Sequence, residues 1–360
     1  MKETIKMLKE LTDANGVPGN EGEVRQVMKK YLENVADDIY TDNLGSFIAK
    51  RSTISTLAEV PCKIMIAGHM DEVGFIVKLI DDNGFIKFQT MGGWVSHTLL
   101  AQQVVITTSE NKKIRGVIGA KPPHLMNGGE REKALDVEKM FIDIGVESKK
   151  KAEKLGIQIG DMITPYIEFK RMANPKYLLA KAWDNRAGCG VAIDVMKNLT
   201  DYYGTIYAVG TVQEEVGLRG AITSANKIEP DIAFVVDVGL AGDMPGVSEV
   251  DGKLGKGPQI VIMDSMTIAH KKLKDFVVEV AKELKIPYQL EIMTKGGTDA
   301  GRIHMSGSGV PTVGIALASR YIHSHTFMIH LDDYLNTVKL LTEVIKNLTK
   351  EKVLELTKQI

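Results

Sequence analysis

The apolar run Ile206-Tyr207-Ala208-Val209-Gly210-Thr211-Val212 leads directly into Gln213-Glu214-Glu215-Val216-Gly217. Such a run reads as a buried parallel strand. In an open α/β sheet, ligands bind in the crevice beyond the carboxyl ends of the strands. Side chains alternate along a strand, so Glu214 and Glu215 are expected to point different ways. One can then hold a metal while the other moves a proton. Taken alone, the pair reads more simply as two solvated loop glutamates.

Other expected strand ends carry chemistry of the same kind. Lys63–Gly68 ends at His69-Met70-Asp71, and Tyr177–Ala182 ends at Trp183-Asp184-Asn185. Ile232–Val238 carries Asp237 at its tip, and Val310–Leu317 runs to Ser319-Arg320-Tyr321-Ile322-His323-Ser324-His325. Five strand ends of one sheet thus deliver His, Asp, Glu, Asp and His. An imidazole–carboxylate mixture suits Zn, Co or Mn, and a carboxylate can bridge two ions. In His69-x-Asp71 the carboxylate can accept the second imidazole N–H, a common arrangement behind a metal ligand. No G-x-S-x-G is present and neither cysteine has a base near it in the chain, which leaves metal-assisted hydrolysis as the economical chemistry.

The elements that must position these residues fall into two textures. Residues 3–12 form a predicted amphipathic helix. Asn20 and Glu23 have capping-box spacing for a helix Glu21–Val35, whose apolar face is Val24, Val27, Met28, Tyr31, Leu32 and Val35. Asp42-Asn43-Leu44-Gly45 is the expected turn between strands Asp38–Thr41 and Ser46–Ala49. From about Val73 to Phe169, short apolar runs alternate with glycine turns, which reads as a small β-barrel-like module interrupted by one helix at Ser148–Leu155. After Lys176 strands alternate with helices, through a long helix at Leu331–Leu348. That rhythm implies a mostly parallel sheet sandwiched by helices. The expected organisation is an α/β catalytic domain of residues 1–72 and 170–360, with residues 73–169 as an inserted β-rich domain.

Composition narrows the function. The 360 residues carry 45 Lys+Arg against 46 Asp+Glu. This balance gives no electrostatic case for nucleic acid or an anionic membrane as partner. No stretch reads as a signal peptide or a membrane span. Cys62 and Cys189 lie far apart in apolar contexts, as buried thiols of a reducing compartment do. A soluble cytoplasmic protein is expected.

The chain resembles the M42 metallo-aminopeptidases, the group that includes bacterial glutamyl aminopeptidase and archaeal tetrahedral aminopeptidase. The resemblance rests on Gly68-His69-Met70-Asp71-Glu72-Val73-Gly74, Ala182-Trp183-Asp184-Asn185-Arg186, Gln213–Gly220, Asp237-Val238, Gly296-Gly297-Thr298-Asp299-Ala300 and Arg320–Ser324, with Asp143-Ile144-Gly145 and Gly160-Asp161 in the inserted module. It implies two divalent metal ions per subunit (Zn or Co, or else Mn). His69 and Asp237 would serve one ion, Glu215 and His323 the other, and Asp184 would bridge. It makes Glu214 the general acid/base and Asp71 the residue that orients His69. It also implies a cis Asp184–Asn185 peptide, peptide substrates with a free N-terminus, dimerisation through the inserted domain and assembly of dimers into a dodecamer.

Two residues stand apart from the pattern. His325 would share a strand face with His323 and compete for metal, and Phe327 occupies a place where the family is often polar, which would reshape the pocket rim. Thr298 and Asp299 are further expected to line the substrate pocket. The loop Lys121-Pro122-Pro123-His124 is either a rigid turn or a segment reaching a neighbouring subunit's site. Trp94 and Trp183 read as packing anchors, and Lys149-Lys150-Lys151 as a solvated helix start. Rival readings are a related two-metal deacylase or carboxypeptidase, a glycoside hydrolase using Glu214 and Glu215 as its paired carboxylates, and a non-catalytic scaffold. No single charged residue announces itself as the selector of the N-terminal residue.

Overall fold

The computed structural model describes residues 1–53, 62–125, 127–131 and 133–357. The strands are β1 (Asp38–Thr41), β2 (Phe47–Ser52), β3 (Lys63–His69), β4 (Gly74–Ile80), β5 (Ile86–Met91), β6 (Gln103–Thr107), β7 (Lys113–Gly119), β8 (Phe141–Asp143) and β9 (Met162–Pro165). They continue with β10 (Lys170–Arg171), β11 (Tyr177–Ala180), β12 (Thr205–Thr211), β13 (Ile232–Leu240), β14 (Gln259–Met263), β15 (Gln289–Ile292), β16 (Thr312–Ser319) and β17 (Phe327–His330). An eight-stranded sheet has the order β1-β2-β12-β3-β13-β16-β14-β15. Its centre, β12-β3-β13-β16, is parallel. The β1-β2, β2-β12 and β14-β16 pairings are antiparallel.

The central strands are buried on both faces because alternate residues enter different cores. Ile64 and Ile66 of β3, with Phe234 and Val236 of β13, pack into the cluster under the helices Lys2–Asp13, Trp183–Asn198 and Leu331–Lys346. Met65 and Ala67, with Ala233 and Val235, face the opposite layer, where the helix Arg219–Ile228 packs. The helix Trp183–Asn198 lies directly across β3 and β13, and it brings Asp184 to the carboxyl ends of those strands.

Strands β4 to β9 close into a barrel, β4-β5-β8-β7-β6-β9, with Phe75, Ile86, Ile106, Ile142 and Ile163 among its interior side chains. Its short helix Lys149–Lys154 starts at Ser148, whose hydroxyl accepts the Lys151 N–H. Cys62 and Cys189 are buried free thiols, and no helix among the described residues is long and apolar enough to cross a membrane.

The structure corrects three expectations about elements. The capping box does not form: Gly22–Leu32 is the helix, and Glu23 instead accepts the Asn15 N–H and pairs with Lys113 of the barrel. Strand β11 is not part of the main sheet; it sits between β10 and β17 in a separate antiparallel sheet of three strands. Asp184 therefore reaches the site from outside the main sheet. Phe327 is in β17 and buried in the core, away from any pocket rim.

Candidate metal centre and active site

Strand β3 ends with His69 fully enclosed. Its Nδ1 lies 3.0 Å from the carbonyl oxygen of Asp71, which fixes Nδ1 as the protonated nitrogen and turns Nε2 toward the site. The Asp71 carboxylate is farther off, at 3.6 Å, and has other work. Its two oxygens accept the backbone N–H groups of Glu214 and Glu215, each at 3.0 Å. Glu21, buried at the start of its helix, accepts the N–H of Gln213 at 3.2 Å and that of Gly19 at 2.7 Å. Three consecutive amides of the segment 213–215 are thus held by two buried carboxylates. Gln213 is left-handed, with φ +57°, so the chain turns beyond β12 just before the two glutamates.

Asp184 stands at the middle of the cluster. Its Oδ1 is 3.0 Å from His69 Nε2, and its Oδ2 is 3.5 Å from His323 Nε2. His69 Nε2 also faces Asp237 at 3.8 Å and Glu214 at 3.9 Å. His323 Nε2 faces Glu215 at 3.5 Å. Two sets of three converge through Asp184: His69, Asp184 and Asp237, and Asp184, Glu215 and His323. The Asp184–Asn185 peptide is cis. Asn185 donates to the Val236 carbonyl at 2.7 Å and accepts from Gly188 N–H at 2.9 Å, tying Asp184 to the strand that carries Asp237.

The cluster gathers its carboxylates around two imidazoles, with no lysine or arginine paired to them among the described residues. Burial and then the Asp184 charge push Glu215 up to about 8. Burial pushes Asp237 up to about 8, with Asp184 adding to the rise against the pull of His69. Burial, and then the charges of Asp237 and Asp299, hold Glu214 well above the carboxylate range despite His69. Burial would lower His69, but Glu214 and Asp184 outweigh it and hold the imidazole well above its usual value. His323 rises to about 9: burial opposes the rise, and the bond to Asp184 drives it. Asp184 itself is lowered, since its contacts with His323 and His69 overcome burial. Protons here occupy places that cations would take.

The site opens into a cavity of about 520 Å³. Thr298 lines it and donates its hydroxyl to Asp264 at 3.0 Å. Asp299 is enclosed behind the cavity wall, accepting the Thr211 hydroxyl and sending its charge toward Glu214. His325 does not compete with His323. Positive φ at Tyr321 (+66°) and His323 (+58°) breaks the strand alternation, and the His325 ring turns inward against Trp94, 5.4 Å between centroids. Trp94 is a packing anchor stacked on Phe75, and Trp183 is one in the core.

Sequence reasoning missed four residues and one role of a fifth. Glu21 and the amide-binding use of Asp71 left no signal, because their partners are backbone groups. Gly92 and Gly93, after β5, carry the barrel against the site: a Cβ on Gly93 would lie 2.9 Å from His323 Nδ1, and one on Gly92 3.0 Å from Glu215 Oε2. The spacing of a glycine pair after a strand was the available sign. Lys295 lines the cavity from the loop before Gly296.

The family model for M42 glutamyl aminopeptidase matches residues 45–340, and a second model, AMPT, matches residues 2–28. The glutamyl aminopeptidase of Lactococcus lactis is 36% identical over 358 residues, which cover 98% of this chain and 99% of that one. The TET aminopeptidase of the marine sediment archaeon Thaumarchaeota archaeon SCGC AB-539-E09 superposes with a TM-score of 0.95 at 41% identity, covering 99% of this chain and 100% of that one. The Pyrococcus horikoshii TET1 peptidase, which can assemble into a tetrahedron or a large octahedral shell, gives 0.85 at 31% identity, over 96% and 100%. The chain belongs to the M42 peptidase family and is an enzyme of the aminopeptidase class.

Proposed function

We propose that the chain is a dinuclear metal-dependent aminopeptidase that removes the N-terminal residue from peptides. The observation that carries this reading is the placement of one Asp184 oxygen toward His69 and the other toward His323. The donor set fits two divalent cations. Four carboxylates and two imidazoles line one wall, and buried Glu215 Oε1 has no hydrogen-bond partner among the described residues. His69 and Asp237 would hold one ion, Glu215 and His323 the other, with Asp184 shared. Mixed imidazole and carboxylate donors suit Zn or Co, with Mn also able to bind.

Such ions supply Lewis acidity, which polarises a scissile carbonyl and eases ionisation of a water. Glu214 is the group of this chain placed to take the proton of the attacking water and return it to the leaving amine. Asp71 and Glu21 hold the amides before and at Glu214, so its carboxylate is aimed by the backbone. A paired-carboxylate glycosidase would leave His69 and His323, both turned onto the carboxylates here, without a role.

Residues 1–72 and 170–360 would form the catalytic domain, and residues 73–169 the dimerisation domain. Exposed Val95, Val117 and Leu125 in that region offer apolar contact area. By extension from the TET1 shells, dimers would build a dodecamer. Unbridged buried thiols support a cytoplasmic setting. The test is Glu214→Gln: retained metal with turnover reduced about 10²–10⁴-fold supports the role, and normal turnover in the fully metallated variant removes it.

A further inference from the structure

His323 is the least enclosed of the five metal-type residues. Its side chain is 40% exposed, against 10% or less for His69, Asp184, Glu215 and Asp237. Packing alone does not hold it, so its loop must. The chain leaves β16, passes His323 and returns into β17. Arg320 and Met328 close the base of this loop, exchanging backbone N–H···O bonds at 3.0 and 3.2 Å. Inside it the Ser324 hydroxyl lies 2.7 Å from the Tyr321 carbonyl oxygen and 2.7 Å from that of Thr326. These contacts shape the loop, and His325 seats it on Trp94 of the barrel side.

The tie from this loop to the strand that carries Asp237 is the Arg320 side chain. The β13–β16 ladder ends at Leu240 and Ser319, and Ala241 N–H donates to the Ser319 carbonyl at 3.2 Å. Just beyond, the Arg320 guanidinium donates from Nε to Asp243 Oδ1 at 3.0 Å and from a terminal nitrogen to Asp243 Oδ2 at 2.8 Å. Two parallel bonds fix orientation as well as distance, which a lysine ammonium cannot do. Both side chains are only 20% exposed. Asp243 also accepts Leu254 N–H at 3.3 Å, and the guanidinium carbon lies 5.5 Å from the centroid of the Tyr177 ring. The two tied segments both reach the cavity, one through Leu240 and the other through Ile322.

We propose that Arg320 and Asp243 are a positioning pair for one of the two metal sites: they hold the His323 loop in place, so that the cation shared by Asp184, Glu215 and His323 depends on them and the cation at His69 and Asp237 does not. This rests on the two-ion reading above. The asymmetry follows from how each ligand is mounted. His69 and Asp237 stand on paired strands of the main sheet, which fix them without help. His323 stands on a loop with left-handed residues at 321 and 323, three residues from the arginine. Asp243 lies six residues beyond Asp237, on the chain that leaves the same strand. The pair therefore references the exposed ligand to the buried half of the centre.

The experiment titrates Zn into the stripped full-length protein against a competing chelator dye, for the native chain, Arg320→Met, Asp243→Asn and the double variant. In each single variant one binding step is expected to weaken by about 10–100-fold, the scale of losing a partner behind a metal ligand, and the other to stay within about twofold. The double variant should lose no more than the worse single one, because the two residues act as one unit. Asp243→Asn is isosteric and carries the test should Arg320→Met fail to fold. The His323→Ala background, which leaves one step, separates positioning from general loosening: there Arg320→Met should shift the remaining step by less than about twofold. Both steps unmoved in both single variants, both steps weakened equally, or further weakening in the His323→Ala background overturns the proposal. A native protein that takes up fewer than two ions refutes the two-ion reading itself, whereas two native steps that the variants leave alone refute only the pair.

Discussion

Gly68 and Gly188 touch where the helix Trp183–Asn198 crosses β3: a Cβ on Gly68 would lie 2.6 Å from the Gly188 carbonyl carbon. This approach lets the first turn of the helix, with Asp184, come down beside His69, the next residue of the strand. The contact is with backbone, so no side chain can yield. Gly68→Ala is expected to destabilise the protein by about 1–3 kcal/mol, the usual cost of overpacking. It should also weaken metal binding by separating Asp184 from His69. Denaturant unfolding and a metal titration check the two effects.

Glu21, which is not itself one of the metal-type residues, supplies a pH-dependent prediction. Burial, with the charge of Asp71, pushes its carboxyl up to about 7 from 4.5. A folded-state value above the unfolded one favours the folded protein fully below about 4.5, and this contribution is lost as pH rises to about 7. Glu21→Gln carries no such proton. Its stability relative to the native protein should therefore climb by roughly 3 kcal/mol between those limits, at 1.36 kcal/mol per unit, and stay level above. Unfolding curves at pH 4.5, 6 and 8 measure it; a constant difference across the series contradicts the assignment.

His325 separates a ligand from a packing residue. Its two ring nitrogens are buried with no hydrogen-bond partner among the described residues, and burial lowers its imidazole to about 4. A leucine there removes uncompensated polar atoms at similar volume. His325→Leu should keep its full complement of metal and be as stable as the native protein or about 1 kcal/mol more so. Loss of bound metal in this variant would make His325 a ligand after all.

The sheet-and-barrel architecture was legible because its signals are strong and local. Unbroken apolar runs mark β3, β12 and β13, and glycine-punctuated short runs mark the barrel. The strands β14 and β17 escaped notice: β14 is short and half-buried at its end, and Phe327–His330 continues into a helix with only His330 as cap. The placement of β11 outside the main sheet was also invisible, since its apolar pattern fits either sheet. His69, Asp184, Glu214, Glu215, Asp237 and His323 were legible through motif and strand-end position, and the fold gathers them. Thr298 reaches the cavity while Asp299 turns behind it, a distinction set by the tertiary path of one loop. Glu21 and Asp71 bind backbone amides, a role that has no sequence pattern.

The central claim is that this cluster works with two bound cations. The most direct measurement is hydrolysis of leucyl-p-nitroanilide by chelator-treated protein as Zn or Co is added back, with bound metal counted per chain. The account predicts negligible activity without metal, recovery that saturates at two ions per chain, and no cleavage of the N-acetylated peptide. Full activity in the stripped protein, or equal cleavage of the N-acetylated substrate, would contradict it.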